Sequence, residues 1–384
     1  MKKICFVSSS RADYGLLKNL MSEISTSKKL SMQLIVSGTH LSEAHGLTIK
    51  QILADGFLID AQIPILGEIR DTPIGISEHI ASAIKGFARA YSDLKPDFIL
   101  LLGDRYEIFA AAISATISKI PIIHLHGGEV TIGAYDESFR HAITKMSHIH
   151  FTAAAQYRDR IIQLGEHPKN VFFVGGLGVD SINRTPLYER DELCEILDIE
   201  LKHHSLLITY HPETLGTNSA DYEISELLNA LDSLDETTIC FTMPNADNDS
   251  SEIIKKIRKY VSKHENAYFF TSLGQKKYFS CLKTFGAVVG NSSSGLLEAP
   301  TFKIPTINIG KRQSGRLKAN SVIDCKPKAE EIKQAIGLAF SEKFRSKLEN
   351  TINPYGEGGA SKKIKEIIET YDFKNILYKE FYDL

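Results

Sequence analysis

The sequence has few cysteines, almost no excess charge and no long hydrophobic run. Its five cysteines are odd in number and form no CxxC pair, which argues against a disulfide framework and favours a reducing compartment. The formal net charge of −2 provides no basic field for nucleic acid or an anionic membrane. No apolar run approaches the roughly 18 residues that span a bilayer, and Ile4–Val7 is too short for a signal peptide. We therefore expect a cytoplasmic protein.

Short apolar runs alternate with amphipathic segments along the whole chain. Runs with little polar alternation predict buried strands of parallel sheets, covered by helices on both faces. Strands are predicted at Lys3–Val7, Gln33–Val36, Phe98–Leu102, Ile122–Leu125, Val171–Val174, Leu206–Thr209, Thr238–Thr242, Tyr268–Thr271, Ala287–Val289 and Thr306–Ile309. Repeated βα units over 384 residues predict an α/β protein with two Rossmann-like, doubly wound domains.

The domain boundary is predicted within 178–191, where a glycine-rich run gives way to Asn-Arg-Thr-Pro. We expect an N-terminal catalytic domain over 1–180 and a C-terminal nucleotide-binding domain over 181–360. The segment 361–384 has the pattern of one or two amphipathic helices. Ligands of open α/β sheets bind at the carboxyl ends of the strands, so the residues just after each strand are the candidates for function.

Polar residues follow the first strands of the N-terminal domain. The serine-rich turn that carries Arg11 can bind an anion through its backbone N–H groups, or can simply cap a helix. His40 follows the second strand, where a histidine is more often unremarkable. Asp104 and Arg105 follow Phe98–Leu102; the aspartate is either a functional carboxylate or a helix N-cap.

A cluster of ionisable residues follows the strand Ile122–Leu125. It contains His126, Glu129, Asp136 and Arg140. A His-x-His pair can ligate a metal, but no further histidine or cysteine completes a ligand set at a recognisable spacing. Carboxylates and imidazoles in an enclosed site are suited to proton transfer, which we favour over a buried hydrogen-bond network without a catalytic role.

The strongest motif of the C-terminal domain is a loop of small residues after a strand. The loop and the helix that follows run from Gly290 to Glu298. Its N–H groups and hydroxyls form a predicted phosphate cradle, and Glu298 is placed to accept from a ribose diol; the alternative is a serine-capped helix. Neither a GxGxxG fingerprint nor a Walker loop is present. His211 follows another strand, and Arg316 lies in a nearby cationic segment.

Eight motifs resemble the hydrolysing UDP-N-acetylglucosamine 2-epimerases, in particular the bacterial branch that makes N-acetylmannosamine for sialic acid capsules. They are SSSRADYG, SGTHL, GDRYE, HLHGGE, YDESFRHAITKMSH, YHPETL, GNSSSGLLEAP and NIGKRQSGR, in this order. The resemblance implies a GT-B-like fold with a deep interdomain cleft for a UDP-sugar, and closing helices that pack on the N-terminal domain. It also implies a homodimer or a dimer of dimers, with no metal and no other cofactor.

The family reaction implied by this resemblance begins with anti elimination of UDP, which gives a 2-acetamidoglucal. Water then adds and releases N-acetylmannosamine. Residues and resemblance together predict catalytic roles for Asp104, Glu129, Asp136 and His211. They predict binding roles for Arg11, His40, Arg105, His126, Arg140, Gly290, Asn291, Ser292, Ser293, Ser294, Gly295, Glu298 and Arg316. Many members outside the sialic branch have a glutamate at the position of His126, so the acidic role is expected to have moved to Glu129.

Three alternatives remain open from the sequence. The same chemistry can act on UDP-N,N′-diacetylbacillosamine, which differs at C4 and C6 of the sugar. A GT-B glycosyltransferase would share the donor site, but the acidic cluster after HLHGG counts against it. A sugar-nucleotide sensor without enzymatic activity would tolerate loss of the three carboxylates, all of which are present.

Overall fold

The computed structural model describes residues 1–66, 72–131, 135–212, 219–234, 236–244 and 250–384. The chain divides into two compact units: Met1–Ser181 together with Gly358–Leu384, and Ile182–Glu357. The residues Glu213, Thr214 and Leu215 of the YHPETL motif lie outside the described part of the chain. No helix among the described residues has the length and apolar character needed to cross a bilayer.

Each unit contains one parallel sheet. The strands are β1 (Lys2–Ser8), β2 (Leu30–Ser37), β3 (Ala61–Ile63), β4 (Phe98–Leu102), β5 (Ile122–Leu125), β6 (Ile149–Thr152), β7 (Val171–Phe173), β8 (His204–Thr209), β9 (Thr237–Thr242), β10 (Ala267–Phe270), β11 (Ala287–Gly290), β12 (Thr306–Ile309) and β13 (Val322–Cys325). The strand order is β3-β2-β1-β4-β5-β6-β7 in the first sheet and β10-β9-β8-β11-β12-β13 in the second. Both orders reverse once, as in a doubly wound sheet.

Helices connect the strands and cover both sheets. They are α1 (Arg11–Ser25), α2 (Ile49–Ala54), α3 (Pro73–Leu94), α4 (Tyr106–Ile117), α5 (Asp136–Met146), α6 (Ala155–Gln163), α7 (Leu177–Arg184), α8 (Arg190–Leu197), α9 (Ala220–Leu231), α10 (Ser250–Val261), α11 (Gly274–Thr284), α12 (Ser294–Leu297), α13 (Ala329–Phe340), α14 (Glu342–Leu348) and α15 (Ala360–Thr370). The boundary between the units falls within α7.

Side chains alternate between the two faces of the buried strands, and this divides the core of each unit into two layers. In β4, Leu100 and Leu102 belong to the layer with α1 and α15, whereas Ile99 and Leu101 pack with α3 and α4. This follows from the two-residue period of a strand, which sends successive side chains to opposite faces. Both faces of these strands are therefore apolar, as predicted for parallel sheets between helices.

The helix α15 belongs to the first unit, although more than 170 residues of the second unit precede it. Ile364 and Ile368 are buried in the same layer as α1. The Asp180 carboxylate accepts hydrogen bonds from the N–H groups of Gly359 (2.7 Å) and Ser361 (3.1 Å) at the start of α15. A carboxylate at this position satisfies donors that the helix leaves open.

Each predicted strand is present, but the sequence pattern missed β3, β6 and β13. The strand β6, Ile-His-Phe-Thr, contains the buried polar residues His150 and Thr152, so it lacks a continuous apolar run. The strand β3 has three residues, and β13 lies at the sheet edge without a fully buried residue. Each forms a strand because it pairs with a neighbour rather than because of its own composition.

Gly290 provides a test of how closely β11 and β8 approach. Its φ is +132°, and a Cβ at this position would lie 2.0 Å from the Thr209 carbonyl oxygen. Gly290→Ala should therefore lower the free energy of unfolding by about 2–4 kcal/mol, through backbone strain and overpacking. Urea denaturation followed by circular dichroism measures the change.

Gly337→Ala in α13 is the matched control, because nothing lies within 4 Å of the Cβ that it would add. An alanine within a helix should leave stability unchanged or raise it by roughly 0.5–1 kcal/mol. Equal unfolding midpoints for the two variants would contradict the close approach at Gly290.

Candidate active site

In the first unit, the strand order reverses between β1 and β4. The two strands pair directly, with Ile4 opposite Phe98 and Phe6 opposite Leu100. The turn after β1 and the loop after β4 therefore leave the sheet side by side. This is where doubly wound folds bind ligands.

The turn after β1 is organised by the buried carboxylate of Asp13. It accepts hydrogen bonds from the N–H groups of Ser9 (2.9 Å) and Ser10 (3.0 Å), and from the hydroxyls of Ser8 (2.5 Å) and Ser9 (2.8 Å). Burial opposes ionisation of Asp13, but hydrogen bonds from His40, Ser8 and Ser9 outweigh it and lower its pKa. Asp13 thus uses two N–H donors of the predicted anion receptor, which stays a prediction. Arg11 is exposed at the start of α1.

His40 lies behind the same turn and is completely buried. Its Nε2 hydrogen-bonds the Ser8 hydroxyl (2.9 Å), and its Nδ1 hydrogen-bonds the Thr48 hydroxyl (2.7 Å). Both ring nitrogens are therefore used within the protein. His40 thus holds the turn that carries Arg11, and its predicted contact with the substrate stays a prediction.

Arg140 of α5 is the centre of the charged cluster. Its guanidinium is 4% exposed and forms ion pairs with Asp104 and Glu137. It also donates to the Thr131 hydroxyl (2.8 Å) and to the Glu129 carbonyl (2.9 Å). These bonds use Arg140 donors to hold Asp104 and Glu137 in place, and the predicted contact of Arg140 with the substrate stays a prediction. Glu137 was missed, although its i,i+3 spacing to Arg140 on one helix was a signal.

Asp136 begins α5 and lies within the electrostatic influence of Asp104. Burial is the largest cause of a raised pKa at Asp136, and the charge of Asp104 adds to it; Arg105 and Arg140 oppose the shift. Asp104 is held in an ion pair with Arg140. Two neighbouring carboxylates in such different surroundings are suited to different roles in one reaction.

Arg105 and Glu107 form a second ion pair beside Asp104. The Arg105 Nη2 lies 2.9 Å from Oε1 of Glu107, whose side chain is fully buried. The Arg105 side chain as a whole remains about half exposed, at 46%. Arg105 thus keeps an accessible side that is compatible with the predicted contact to a ligand.

His126 and Glu129 form a pair at the exit of β5. The His126 backbone has φ +62°, which is unusual for a residue other than glycine, and its N–H donates to the Phe151 carbonyl (3.0 Å). Its Nδ1 lies 2.9 Å from Oε1 of Glu129. A carboxylate at Nδ1 fixes the orientation of the imidazole ring. Glu129 is therefore coupled to His126, which the spacing in HLHGGE did not reveal.

His124, on β5 itself, links this strand to the loop that carries Asp104. Its Nε2 hydrogen-bonds the Gly103 carbonyl (2.9 Å), and its Nδ1 hydrogen-bonds the Thr144 hydroxyl of α5 (3.2 Å). Burial lowers its pKa to about 3, so the ring is neutral at pH 7. It is a structural brace for the loop and the helix.

In the second unit, the order reverses between β8 and β11, and Asn291 joins the two strand exits. Its side-chain amide donates to the His211 carbonyl (2.8 Å) and accepts from the His211 N–H (2.7 Å). Its own carbonyl accepts from Gln313 (2.8 Å) and Arg312 (3.2 Å). Asn291 is therefore a buried clamp between loops, and its predicted contact with a ligand stays a prediction.

The loop from Ser292 to Ser294 follows this clamp. The hydroxyls of Ser292 and Ser293 form no hydrogen bond with a described residue, whereas Ser294 donates to Glu298 (2.5 Å). The helix α12 after the loop has only four residues, so its dipole is weaker than the sequence led us to expect. Gly295 packs against Thr306, whose Cγ2 would lie 2.7 Å from an added Cβ.

The cations near this loop come from the segment 310–316. Arg312 donates to the Asn291 carbonyl, and its charge acts on His211. Burial, with a smaller effect of Arg312, lowers the pKa of His211 to about 4, so this imidazole is neutral at pH 7. Arg316 is half-buried on the same segment. Our prediction named Arg316 and missed Arg312, because a run of cations does not reveal which one turns inward.

Two further features bear on alternatives to this site. A cavity of about 810 Å³ in the first unit is lined by residues that precede β6 and β7, such as His148 and Lys169, and by the segment after α15. It lies at the amino ends of the strands, away from the edge where doubly wound sheets bind ligands. In the described part of the chain, no three acidic, histidine or cysteine side chains are grouped to hold a metal ion.

A family model described as UDP-N-acetylglucosamine 2-epimerase matches residues 22–369. The chain belongs to this family. It is 41% identical over 385 residues to the GDP/UDP-N,N′-diacetylbacillosamine 2-epimerase (hydrolyzing) of Campylobacter jejuni, with 100% of this chain and 99% of the relative covered. It is 39% identical over 392 residues to the polysialic acid biosynthesis protein P7 of Escherichia coli, with 100% and 98% covered.

The fold of the chain also agrees with membership of this family. The structure of the UDP-GlcNAc 2-epimerase of Neisseria meningitidis bound to UDP-GlcNAc has a TM-score of 0.75 to this chain, covering 96% of this chain and 100% of the other. The sequence identity is 17%, so this likeness concerns the fold alone. The family resemblance read from the eight motifs and the predicted two-domain α/β fold are both confirmed.

The Asp13 network makes a prediction about the pH dependence of stability. A carboxylate with a lowered pKa in the folded state contributes above its unfolded-state value of 3.8, and the contribution is lost as pH falls through the folded-state value. Asp13→Asn should therefore cost about 1.5–3 kcal/mol at pH 7, the range for hydrogen bonds to charged groups. The cost should shrink below pH 3.8. Urea titrations at several pH values measure it.

Asp159→Asn is the control for this series, because Asp159 is 72% exposed on α6. It should leave stability unchanged at every pH. A cost of Asp13→Asn that stays constant from pH 7 to acid conditions would contradict the role of the Asp13 charge.

Proposed function

We propose that the chain is a hydrolysing 2-epimerase that converts UDP-N-acetylglucosamine and water into N-acetylmannosamine and UDP. The observation that carries the proposal is the acidic cluster around Arg140, in which Asp104 and Asp136 have different surroundings. Membership of the family and the hydrolyzing relative of Campylobacter jejuni support the reaction type. The polysialic acid relative supports a product that feeds sialic acid synthesis.

The proposed reaction has two steps. In the first, the C1–O bond breaks and its electron pair leaves with UDP, while a base takes the C2 proton; the C2–H electrons form the C1–C2 double bond. In the second step, water adds across the C1–C2 double bond. Its hydroxyl group bonds to C1, and a proton bonds to C2 on the face opposite to the one from which the first proton was taken. Because C2–H has no adjacent carbonyl, it becomes acidic only as positive charge develops on the ring. Stabilisation of the leaving diphosphate is therefore essential.

The second unit provides the groups suited to hold UDP. The hydroxyls of Ser292 and Ser293 and the guanidinium groups of Arg312 and Arg316 are suited to the diphosphate, and Glu298 to the ribose diol. A neutral His211 contributes a hydrogen bond rather than a charge, because its pKa is about 4. Arg11, exposed at the start of α1, is a cation suited to bind an anion.

The first unit provides the proton-transfer groups. We assign Asp136 to the C2 proton, since its raised pKa makes it a better base than an ordinary aspartate. Asp104, which Arg140 holds in place, is suited to stabilise the positive charge that develops on the sugar ring. The coupled pair of His126 and Glu129 is suited to transfer a proton during addition of water.

A second candidate substrate is UDP-N,N′-diacetylbacillosamine. It is favoured by the 41% identity to an enzyme named for this substrate, which exceeds the 39% identity to the polysialic acid protein. Both sugars carry the C2 acetamido group and the UDP leaving group, so the chemistry is the same. Contacts to C4 and C6 of the sugar decide between them.

The product formed in D₂O tests the reaction. With UDP-N-acetylglucosamine, NMR should show free UDP and N-acetylmannosamine that carries deuterium at C2, since the returning proton comes from solvent. Release of UDP-N-acetylmannosamine would contradict hydrolysis. Turnover of the diacetylbacillosamine nucleotide alone would replace the proposed substrate with the second candidate.

Substitution of the two aspartates tests their roles. Asp104→Asn and Asp136→Asn should each lower kcat by roughly 10²–10⁴-fold, the usual contribution of a proton-transfer or charged group. UDP affinity measured by calorimetry should remain, because the proposed UDP contacts lie elsewhere. Asp159→Asn again serves as the exposed control and should keep full activity. Unchanged rates in both variants would refute the assignment.

A further inference from the structure

A short chain of hydrogen bonds in the second unit ends on the carboxylate of Glu298. The Tyr278 hydroxyl on α11 donates to the Ser294 hydroxyl (2.7 Å). The Ser294 hydroxyl then donates to Oε2 of Glu298 (2.5 Å).

In this chain, each hydroxyl donates its proton to the next group along. Since the Tyr278 proton is donated to the Ser294 oxygen, the single proton of Ser294 is directed to the carboxylate. Hydrogen bonds in series polarise one another, so each strengthens the next. The described residues make no hydrogen bond to the second oxygen, Oε1 of Glu298. One carboxylate oxygen is thus fixed, and the other is left for a ligand.

The surroundings of Glu298 make this support necessary. Burial raises the pKa of Glu298, and the hydrogen bond from Ser294 opposes that effect. A carboxylate accepts hydrogen bonds from two hydroxyls of a diol best when it is ionised. Without Tyr278, the Ser294 oxygen loses the donor that polarises its hydroxyl, so the hydrogen bond from Ser294 to Glu298 is weakened. The orientation and the ionisation of Glu298 are then less well supported.

We propose that Tyr278 is a positioning residue that sets the Glu298 carboxylate for the ribose diol of a uridine nucleotide. The inference rests on the proposed function, which assigns the UDP moiety to this unit. Tyr278 lies on α11, sixteen positions before Ser294, and no motif of the sequence draws attention to it. Its effect is on recognition of the ribose, not on the reaction at the sugar.

The experiment compares the affinity for UDP with that for 2′,3′-dideoxy-UDP, which lacks the diol. Calorimetry on the full chain should show that the unmodified protein prefers UDP on the order of 10- to 100-fold, the range for hydrogen bonds to a charged group. Tyr278→Phe should reduce this preference by at least roughly threefold, with an unchanged affinity for the dideoxy nucleotide.

Two control variants separate this effect from general damage. Tyr210→Phe also removes a buried tyrosine hydroxyl that donates to a carboxylate, Glu223 (2.7 Å), and should leave the preference unchanged. Ser293→Ala should weaken both nucleotides equally, because the proposed contact of Ser293 is to phosphate. Thermal melting of each variant checks that it is folded.

A double-variant cycle shows whether Tyr278 acts through Glu298. Glu298→Gln should reduce the preference for UDP, and adding Tyr278→Phe to it should change the preference no further. An equal effect of Tyr278→Phe with and without Glu298 would overturn the inference, as would an unchanged preference in Tyr278→Phe. Failure of the unmodified protein to bind UDP would overturn the proposed function as well.

Discussion

The guanidinium of Arg140 is the interaction on which the candidate catalytic cluster depends. It is buried and pairs with Asp104 and Glu137 on two different elements. A buried cation of this kind is costly unless its donors are used, and here four acceptors surround it. The exit of β4 and the first turn of α5 are therefore held together by charge. Asp136 lies on that turn without sharing the ion pair, which leaves its carboxylate in a different electrostatic environment.

A common principle applies to both units. The polar atoms nearest the strand ends are used inside the protein: Asp13 organises the turn after β1, and Asn291 joins the exits of β11 and β8. The groups suited to contact a ligand lie one step further out, on segments that these hydrogen bonds hold. An arrangement that fixes candidate binding groups before a ligand arrives lowers the entropic cost of binding.

The hydrogen-bond chain through Tyr278 extends the same principle to Glu298. The helix α11 contributes the Tyr278 hydroxyl to it, and the segment after β11 contributes Ser294 and Glu298. The sequence motif GNSSSGLLEAP identified the serines and the glutamate but gave them parallel roles. The structure divides them: Ser294 directs its proton to Glu298, whereas the Ser292 and Ser293 hydroxyls stay without such a bond to described residues. The group that accepts a hydroxyl proton is set by partners that are distant in sequence.

The sequence by itself determined the family, the two-unit α/β fold and the positions of the loops that carry the candidate residues. This is possible because burial between helices demands apolar runs, and because the motifs after them are long and ordered. Only the tertiary structure decided which polar residues are used internally, as with His40 and Arg140, and which residues the motifs passed over, as with Glu137 and Arg312. The homodimer implied by the resemblance stays a prediction. Partners in a hydrogen-bond network come from separate strands, so their pairing is set by sheet order and register, which a local pattern does not contain.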